Sequence, residues 1–546
     1  MRRALVLAAL VVAAAAAAGW WYARGMPVAI VDAPSPHFAC VSYAPYRKPG
    51  QTPFAKGAFI PPEQIDEDLA MLADRVDCVR TYSVDQGLDA VPKLAKKHGL
   101  KVLLGVWIGR SAIENEREMA KAIALANAHR DVIAGVIVGN EVLLRREQPP
   151  EELARLAKQF KEATGLPVTY ADVWEFWLRN RALADSVDFV TVHLLPYWED
   201  DPQPIERAIP HALATLDEVA KAFPGKRIVI GEIGWPSAGR TREGAAPGRV
   251  NQARFMREFA AAAAARKLDY NVIEAFDQPW KRRLEGATGG YWGLLDADGS
   301  EKFPFRGPLA EDPGWQRGPL AGLIGALALL AIGFARAPRP GLRGIAVLAL
   351  AGFACGATLA AQWDYMLEAS RDALEWVANS GMTAVAALTG VLASLALAAW
   401  ADGRGAPATP VSIAGLRRAR HAGEPPRTLV GWFGALRFAT LFGAALVNVL
   451  LVFDARYRDF PLPAYSIPVV AFALIAFARG SEGQLRAGLE ERVLAWIVAV
   501  SAPVVAFKET FANHDALWWW ALAWLLALPV LFPEFSRRAG GEPREA

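Results

Sequence analysis

A chain of 546 residues is too long for one ordinary hydrophobic core, so more than one domain is expected. Its formal net charge of +3 is small for that length and argues against a nucleic-acid partner, which would need Lys and Arg gathered on one surface. The hydrophobic fraction of 53% is high and unevenly distributed, which indicates one water-exposed part and one lipid-exposed part.

The first segment, residues 1–24, begins with Met1-Arg2-Arg3 and continues with the apolar run ALVLAALVVAAAAAAGWW at 4–21. A basic start before an apolar run is typical of a secretory signal peptide or of an uncleaved signal anchor. The run is long enough to cross a hydrocarbon core of about 30 Å. Its alanines also offer cleavage sites, so both interpretations stay open, and we favour the anchor. Either one exports the residues that follow.

Three cysteines are few, which is typical of an exported chain that does not depend on a disulfide framework. Cys40 and Cys78 fall on two neighbouring predicted strands and could pair. We favour the simpler interpretation, in which they are two buried thiols of the core. Cys355 falls in an apolar segment and is interpreted as a packing residue.

Residues 36–307 alternate between strand-like and helix-like segments. Nearly continuous β-branched apolar runs are typical of strands buried on both faces, as in parallel sheets, and amphipathic segments such as 61–74 separate them. Eight such units predict an α/β fold, the (β/α)₈ TIM barrel. An open doubly wound sheet lacks support, because no Gly-rich phosphate turn follows the first strand. The predicted strands are 37–43, 76–82, 100–107, 132–140, 166–172, 187–194, 227–232 and 270–276.

Functional side chains of a barrel belong at the carboxyl ends of its strands, since that face carries the active site. Polar, aromatic or acidic residues end nearly every apolar run, a pattern that a plain scaffold does not need. They are Tyr43, Arg80, Tyr82, Trp107, Asn140, Glu141, Asp172, His193, Glu232, Glu274 and Asp277.

Two glutamates are the candidate catalytic residues. Glu141 ends the fourth strand and Glu232 the seventh, so their carboxylates can face one bond of a bound ligand across the barrel mouth. Glycoside cleavage with retention needs two carboxyl groups about 5–5.5 Å apart, one acting as acid/base and one as nucleophile. A lone glutamate at a strand end is more often a cap or an ion-pair partner, but two on these strands, with Asn140 beside one of them, favour catalysis. Asn140 is placed to hydrogen-bond a sugar hydroxyl.

The region 315–546 predicts an all-α membrane domain of about seven transmembrane helices. Lys and Arg should gather in the cytoplasmic loops. Basic residues do gather in alternate loops and in the tail, which predicts an exported barrel and a cytoplasmic C-terminus. We expect Arg437, near the inner end of a span, to snorkel to the interface. The apolar runs are 318–335, 344–362, 381–400, 430–453, 463–478, 493–507 and 516–533, and the inner basic residues are Arg336, Arg339, Arg343, Arg404, Arg417, Arg418, Arg420, Arg427, Arg537 and Arg538.

The exported part resembles glycoside hydrolase family 17, which comprises β-1,3-glucanases and glucan transglycosylases. The segments that carry the resemblance are VSYAPY, RTYS, VGNE, HLLPYWE, GEIGWPS, EAFDQPWK and GGYWGLLD, and together they extend over about residues 36–306. The resemblance implies that Glu141 is the acid/base and Glu232 the nucleophile. It further implies a sugar-binding cleft lined by Arg80, Tyr82, Asn140, Tyr197, Trp235, Asp277, Trp280 and Lys281. With the strand-end residues Tyr43, Trp107, His193 and Glu274, and with Glu285, these form the predicted substrate-binding set.

Two positions depart from the family pattern. Gln278 stands where an acid is frequent, and His193 stands where Asn is more familiar, which puts the fine specificity in question. His193 has no second His or Cys at ligand spacing, so we expect neither a metal nor a cofactor. Tryptophans beyond the strand ends are candidate sugar platforms, although some of them will only pack loops. They are Trp174, Trp177, Trp198, Trp280 and Trp292.

Three hypotheses follow for the function. A remodelling enzyme gains access to nascent polymer when it is held at a membrane, which favours transglycosylation on β-1,3-glucan at the periplasmic face of a bacterial inner membrane. A membrane-tethered endo- or exo-β-1,3-glucanase is the alternative, since water can replace the acceptor sugar. A non-catalytic polysaccharide-binding or export module is the third. The expected partners are a β-glucan and the lipid bilayer, with a glucan synthase or export complex as a further candidate.

Overall fold

The computed structural model describes residues 1–407, 411–425, 429–480 and 487–532. Arg427, Arg537 and Arg538, which entered the prediction of orientation, lie outside the described residues. The chain divides into two compact units. One comprises Val28–Leu309, and the other comprises Met1–Pro27 with Ala310–Ala546.

The unit Val28–Leu309 is a closed barrel of eight parallel strands in sequence order, so the predicted fold class is confirmed. Every predicted strand overlaps an observed one. Side chains fill the interior of such a barrel and helices cover its outside, so the strands are buried on both faces, which explains why they are nearly continuous apolar runs. The strands are β1 Val41–Ser42, β2 Cys78–Arg80, β3 Lys101–Val106, β4 Ile133–Asn140, β5 Val168–Val173, β6 Phe189–Leu194, β7 Arg227–Ile233 and β8 Asp269–Val272.

Helices follow the strands, and local residues set their ends. Pro62 occupies the first turn of its helix, where a missing N–H costs nothing. The Ser111 side chain accepts a hydrogen bond from the Glu114 N–H as an N-cap, and Gly165 ends another helix in the left-handed region at a φ of 66°. The helices of this unit are α2 Pro62–Ala73, α3 Val91–Lys97, α4 Ala112–Ala128, α5 Pro150–Thr164, α6 Trp174–Arg179, α7 Ile205–Ala222, α8 Arg249–Arg266 and α9 Arg282–Glu285.

A disulfide joins Cys40 to Cys78, so the favoured interpretation of two separate thiols is wrong. The reason is the register of the first two strands. Val41 lies opposite Val79 in the β1–β2 ladder, which places the preceding cysteines side by side with a Cα–Cα distance of 4.3 Å. That distance is just below the usual lower limit of about 4.4 Å for a disulfide, and sequence alone could not supply it.

The second unit is helical and contains the seven apolar C-terminal helices that the sequence predicts, together with the N-terminal helix and one short helix. Within the part of the chain that the structure describes, seven helices are long and apolar enough to cross a membrane by length and composition. They are Arg2–Gly25 and six of the C-terminal helices; Leu489–Lys508 is not among them. The helices are α1 Arg2–Gly25, α10 Arg317–Phe334, α11 Leu342–Ala369, α12 Ala373–Ala401, α13 Ile413–His421, α14 Phe433–Phe453, α15 Leu462–Arg479, α16 Leu489–Lys508 and α17 His514–Leu531.

Arg437 on α14 does not snorkel, so that expectation is wrong. Its side chain is 8% exposed, and its Nη2 lies 2.8 Å from Oε1 of Glu491 on α16, which is completely buried. The second carboxylate oxygen of Glu491 accepts a hydrogen bond from the N–H of Gly488 at 2.7 Å. A buried charge is tolerated when it is paired in this way, and the partner lies 54 residues away in sequence, where no local pattern could identify it.

Candidate active site

The carboxyl ends of β4 and β7 bring Glu141 and Glu232 together across the barrel mouth. One carboxylate oxygen of each, with one ring nitrogen of His193, lie within 4.8 Å of one another. Glu232 is 4% exposed, whereas Glu141 is partly accessible to solvent. The two carboxyl groups that the sequence singled out therefore meet in one site, close enough to act on a single bond.

The end of β4 turns sharply to present Glu141. Gly139 adopts a φ of 85° and Glu141 a φ of 51°, both in the left-handed region, and the β4–β5 register shifts between Ile137 and Asn140. The left-handed region favours glycine, and a residue with a side chain pays about 1–2 kcal/mol to occupy it. A hydrogen bond from the Glu141 N–H to the carbonyl of Ala171, 2.8 Å long, holds the residue in this conformation.

Arg80 is the centre of the hydrogen-bond network. Its guanidinium is 1% exposed and donates from Nη1 to Glu232 Oε1 at 2.6 Å and from Nη2 to Asn140 Oδ1 at 2.5 Å. The hydroxyl of Tyr82 donates to the same Glu232 oxygen at 2.7 Å, and the Tyr82 ring lies 4.0 Å from the guanidinium. Two residues of the β2 end therefore hold one carboxylate oxygen of Glu232.

His193 and Asn140 orient one another. The Nε2 atom of His193 lies 3.0 Å from Asn140 Oδ1, which also accepts from Arg80, so Nε2 must carry the proton and Nδ1 must be bare. Burial lowers the pKa of His193 to about 4, and the nearby charge of Arg80 lowers it as well, against the opposite effect of Glu232. The ring is therefore neutral at pH 7. With Oδ1 of Asn140 occupied twice, its amide nitrogen remains as the donor available to a ligand.

The two glutamates have opposite pKa shifts. Burial raises the pKa of Glu141 to about 8, and the negative charges of Glu232 and Asp172 add to the rise. Burial by itself would also raise the pKa of Glu232. The charges of His193 and Arg80, together with the hydrogen bonds from Tyr82 and Arg80, outweigh this effect, so the pKa is lowered. Because His193 is neutral at pH 7, Arg80 and Tyr82 are the groups that keep Glu232 ionised there. One carboxyl group is thus protonated while its neighbour is charged.

A second cluster of the predicted residues lies at the end of β8. Lys281 Nζ donates to both carboxylate oxygens of Glu274, at 2.9 and 2.8 Å. Burial raises the pKa of Glu274 to about 7 against the effect of Lys281. Burial also raises the pKa of Glu285, and the charges of Lys281 and Glu232 act on it in opposite directions. This cluster therefore interacts electrostatically with Glu141 and Glu232.

Other predicted binding residues have their polar groups engaged within the protein. Tyr43 is buried and its hydroxyl donates to Asp68 Oδ2 at 2.8 Å, while Asp277 accepts from Lys302 Nζ at 2.7 Å. The hydroxyl of Tyr197 donates to the carbonyl of Arg240 at 2.5 Å, and the Trp235 Nε1 donates to the carbonyl of Ala246 at 3.1 Å.

The tryptophans divide between rim and interior. Trp107 is 38% exposed, and Trp174, Trp198 and Trp280 are partly buried. Trp177 is 1% exposed with its Nε1 donating to the carbonyl of Thr191, and Trp292 is 3% exposed. Only the first group offers accessible ring surface to a ligand.

Among the described residues, one group has metal-ligand spacing, and it is Glu141, His193 and Glu232. Its chemistry does not favour a cation, because the Arg80 guanidinium already neutralises Glu232 and the Nε2 of His193 is engaged with Asn140. We interpret the cluster as an acid/base site.

Two residues that influence Glu141 were absent from the predicted substrate-binding set. Asp172, noted only as a strand end, is buried, and its negative charge acts on Glu141. Its Oδ2 accepts a hydrogen bond from the Tyr170 hydroxyl, and burial raises its pKa to about 6. Arg145 donates from Nη1 to the carbonyl of Asn140 at 2.6 Å, and its charge opposes the pKa rise of Glu141. A sequence signal existed for Asp172, because that residue ends an apolar run. Arg145 lies in a loop, where no sequence pattern pointed to it.

Comparison with known proteins finds relatives of the barrel unit. Residues 40–293 match the sequence profile of the BtgE/BtgC glycoside hydrolase domain. The chain is 30% identical over 259 residues to a glucan 1,3-beta-glucosidase of Arthroderma benhamiae, with 44% of this chain and 82% of that protein covered. It is 28% identical over 271 residues to a probable glucan endo-1,3-beta-glucosidase, btgC, of Aspergillus clavatus, with 43% of this chain and 38% of that protein covered. The chain thus spans less than half of the second relative.

Among solved structures, the fold is similar to a glycoside hydrolase family 17 beta-1,3-glucanosyltransferase from Rhizomucor miehei. The sequence identity is 26% and the TM-score 0.44, with 49% of this chain and 97% of that chain covered.

Proposed function

The chain belongs to the BtgE/BtgC glycoside hydrolase family, and from that premise we propose that it is a retaining enzyme of β-1,3-glucan that transfers glucan chains to acceptor sugars. The observation that carries the proposal is the carboxylate pair itself. Oxygens of Glu141 and Glu232 within 4.8 Å agree with the spacing of about 5–5.5 Å used for retention. An inverting pair, about 6.5–9.5 Å apart, must leave room for a water molecule.

The proposed roles follow from the protonation states. Glu232 attacks the anomeric carbon as a carboxylate, and its C–O bond forms as the glycosidic bond breaks. Glu141 gives its proton to the departing oxygen and becomes a carboxylate. In the second step an acceptor hydroxyl gives its proton to Glu141 while its oxygen bonds to the anomeric carbon, and Glu232 leaves as a carboxylate. The Asn140 amide nitrogen donates to a hydroxyl of the donor sugar.

The β-1,3-glucan substrate is proposed from the relatives, whose names give glucan 1,3-beta-glucosidase and glucan endo-1,3-beta-glucosidase activities. We propose transfer rather than hydrolysis because of the apolar helices. An enzyme that such helices hold at a membrane is close to nascent polymer, which can serve as the acceptor. Water as the acceptor would make the protein a membrane-held glucanase instead.

For the location we propose a bacterial inner membrane, with the barrel in the periplasm. The Cys40–Cys78 disulfide supports this proposal, because disulfides persist in oxidising compartments. Trp21 supports a retained anchor, since its Nε1 donates to the carbonyl of Ala357 on α11 at 3.1 Å, and a cleaved α1 would remove that contact.

Contacts within the helical unit support the proposed orientation. Arg3 lies 5.8 Å from the ring of Trp400, and Arg404 donates to the carbonyl of Pro338 at 2.8 Å. The start of α1, the end of α12 and the α10–α11 loop therefore lie at one end of the unit, where the basic loop residues also gather. This is the arrangement that a cytoplasmic end requires.

Product analysis tests the proposal. The detergent-solubilised full chain and its Glu232→Gln variant are incubated with reduced and unreduced laminari-oligosaccharides, and the products are measured by mass spectrometry. Products longer than the donor, absent with Glu232→Gln, are expected. Shorter products alone at every substrate concentration would contradict transfer and leave a glucanase. No products from the wild type would favour a polysaccharide-binding module.

A further inference from the structure

The end of β3 carries an exposed aromatic side chain beside the proposed acid. Val106 pairs with Val138 in the β3–β4 ladder, so Trp107 follows β3 at the level of Gly139, two residues before Glu141 on the neighbouring strand end. On the other flank of β4, Trp174 follows β5 directly. Two tryptophans thus flank the strand that presents Glu141, and Trp107 is the more open to solvent, with 38% of its side chain exposed.

Arg145 supports the ring of Trp107. Its guanidinium carbon lies 4.4 Å from the ring centroid, so a cation covers one face of the indole, while 38% of the residue remains exposed. The guanidinium is itself held by Asn140 and Glu147: Nη1 donates to the Asn140 carbonyl at 2.6 Å and Nε donates to Glu147 Oε2 at 2.8 Å. The Arg145 N–H donates to the carbonyl of Glu141 at 2.9 Å. The platform is therefore tied to the strand end that carries the acid.

The side of the cleft on which this platform lies follows from the chemistry. The acid protonates the oxygen of the leaving group, so the sugar attached to that oxygen must lie on the side of Glu141. By microscopic reversibility an incoming acceptor occupies the same space. A β-linked glucose unit has its hydroxyls in the ring plane and C–H groups on both faces, which suits an aromatic face.

We propose that Trp107, supported by Arg145, is the platform for the glucose unit on the leaving-group side, and thus for the acceptor in transfer. The inference rests on the proposed function, because it uses Glu141 as the acid. The inference goes beyond the proposed function by assigning a binding platform to the acceptor sugar. Arg145 acts as a positioning residue that keeps the indole flat against the strand end.

The test separates the two sides of the cleft with a donor that has no leaving sugar. With β-laminaribiosyl fluoride as donor and labelled laminaritriose as acceptor, the half-saturation concentration of each is measured by varying that substrate at a fixed concentration of the other. Trp107→Ala should raise the value for the acceptor about tenfold, which corresponds to about 1.4 kcal/mol, and the value for the donor by less than about twofold. Trp107→Phe should recover most of the loss, and Arg145→Met should shift the acceptor value in the same direction.

Trp280 is the matched control, because it is a partly exposed tryptophan that follows β8 on the Glu232 side. Trp280→Ala should raise the donor value more than the acceptor value. An increase in the donor value alone for Trp107→Ala would overturn the inference and leave the proposed function intact.

If the wild type forms no transfer product, transfer itself fails and the platform is still tested. The KM for laminarihexaose, which fills the leaving-group side, should then rise in Trp107→Ala while the KM for the fluoride does not. Equal changes in both would overturn the inference.

Discussion

Removing one hydroxyl from the site should shift the acid limb of its pH profile. Tyr82→Phe deletes the hydrogen bond of 2.7 Å to Glu232 and leaves the ion pair with Arg80 in place. A hydrogen bond to a charged group contributes about 1.5–3 kcal/mol net. Since one pKa unit corresponds to about 1.4 kcal/mol, the pKa of Glu232 should rise by about 1–2 units. In the proposed mechanism Glu232 must be ionised to attack, so the loss of activity on the acid side of the profile should begin at a higher pH in the variant.

The assay is kcat/KM for laminari-oligosaccharides as a function of pH, which reports the free enzyme. Tyr43→Phe is the matched control, because the hydroxyl of Tyr43 donates to a different buried carboxylate, Asp68, at 2.8 Å. That variant should lower the free energy of unfolding without moving the acid limb. A Tyr82→Phe profile that falls uniformly at all pH values, with its acid limb in the wild-type position, would refute the reasoning and place Tyr82 on the substrate instead.

Three further predictions concern the acid, the disulfide and the buried ion pair. Asp172→Asn removes a negative charge that raises the pKa of Glu141, so the basic limb should move to lower pH; an unmoved limb would exclude that electrostatic role. Cys78→Ser opens a loop of 38 residues, and loop-closure entropy predicts a loss of about 4 kcal/mol in the free energy of unfolding, measured by denaturant titration with the reduced wild type as control. Arg437→Met leaves Glu491 buried without its cation and should cost about 3–5 kcal/mol, seen as a lower Tm in detergent, whereas adding Glu491→Gln should restore much of the loss.

The barrel and the identity of the two glutamates were predictable because both depend on local patterns. A strand buried on both faces must be apolar along its length, so a polar residue at its end stands out in a single reading of the chain. Glu141 and Glu232 each follow such a run, and the structure brings them together. The apolar C-terminal helices were predictable for a similar reason, since lipid demands a long apolar segment.

Other features depended on residues distant in sequence. The Cys40–Cys78 disulfide required the register of two strands, and the burial of Arg437 required a carboxylate on another helix. Several residues included by position or resemblance proved to have their polar atoms bound within the protein, as Tyr197 does. A sequence pattern shows that a side chain lies near a strand end, but it does not show which neighbour that side chain contacts.

The sequence by itself therefore determined the architecture and the two candidate carboxylates, because periodicity and hydropathy are properties of consecutive residues. Only the tertiary structure decided which carboxyl group holds a proton. That difference arises where Arg80 and Tyr82, from β2, meet Glu232 on β7, while Asp172 lies beside Glu141. A pKa is set by the charges and donors within a few ångströms in space. Those neighbours come from different strands, and only closure of the barrel brings them together.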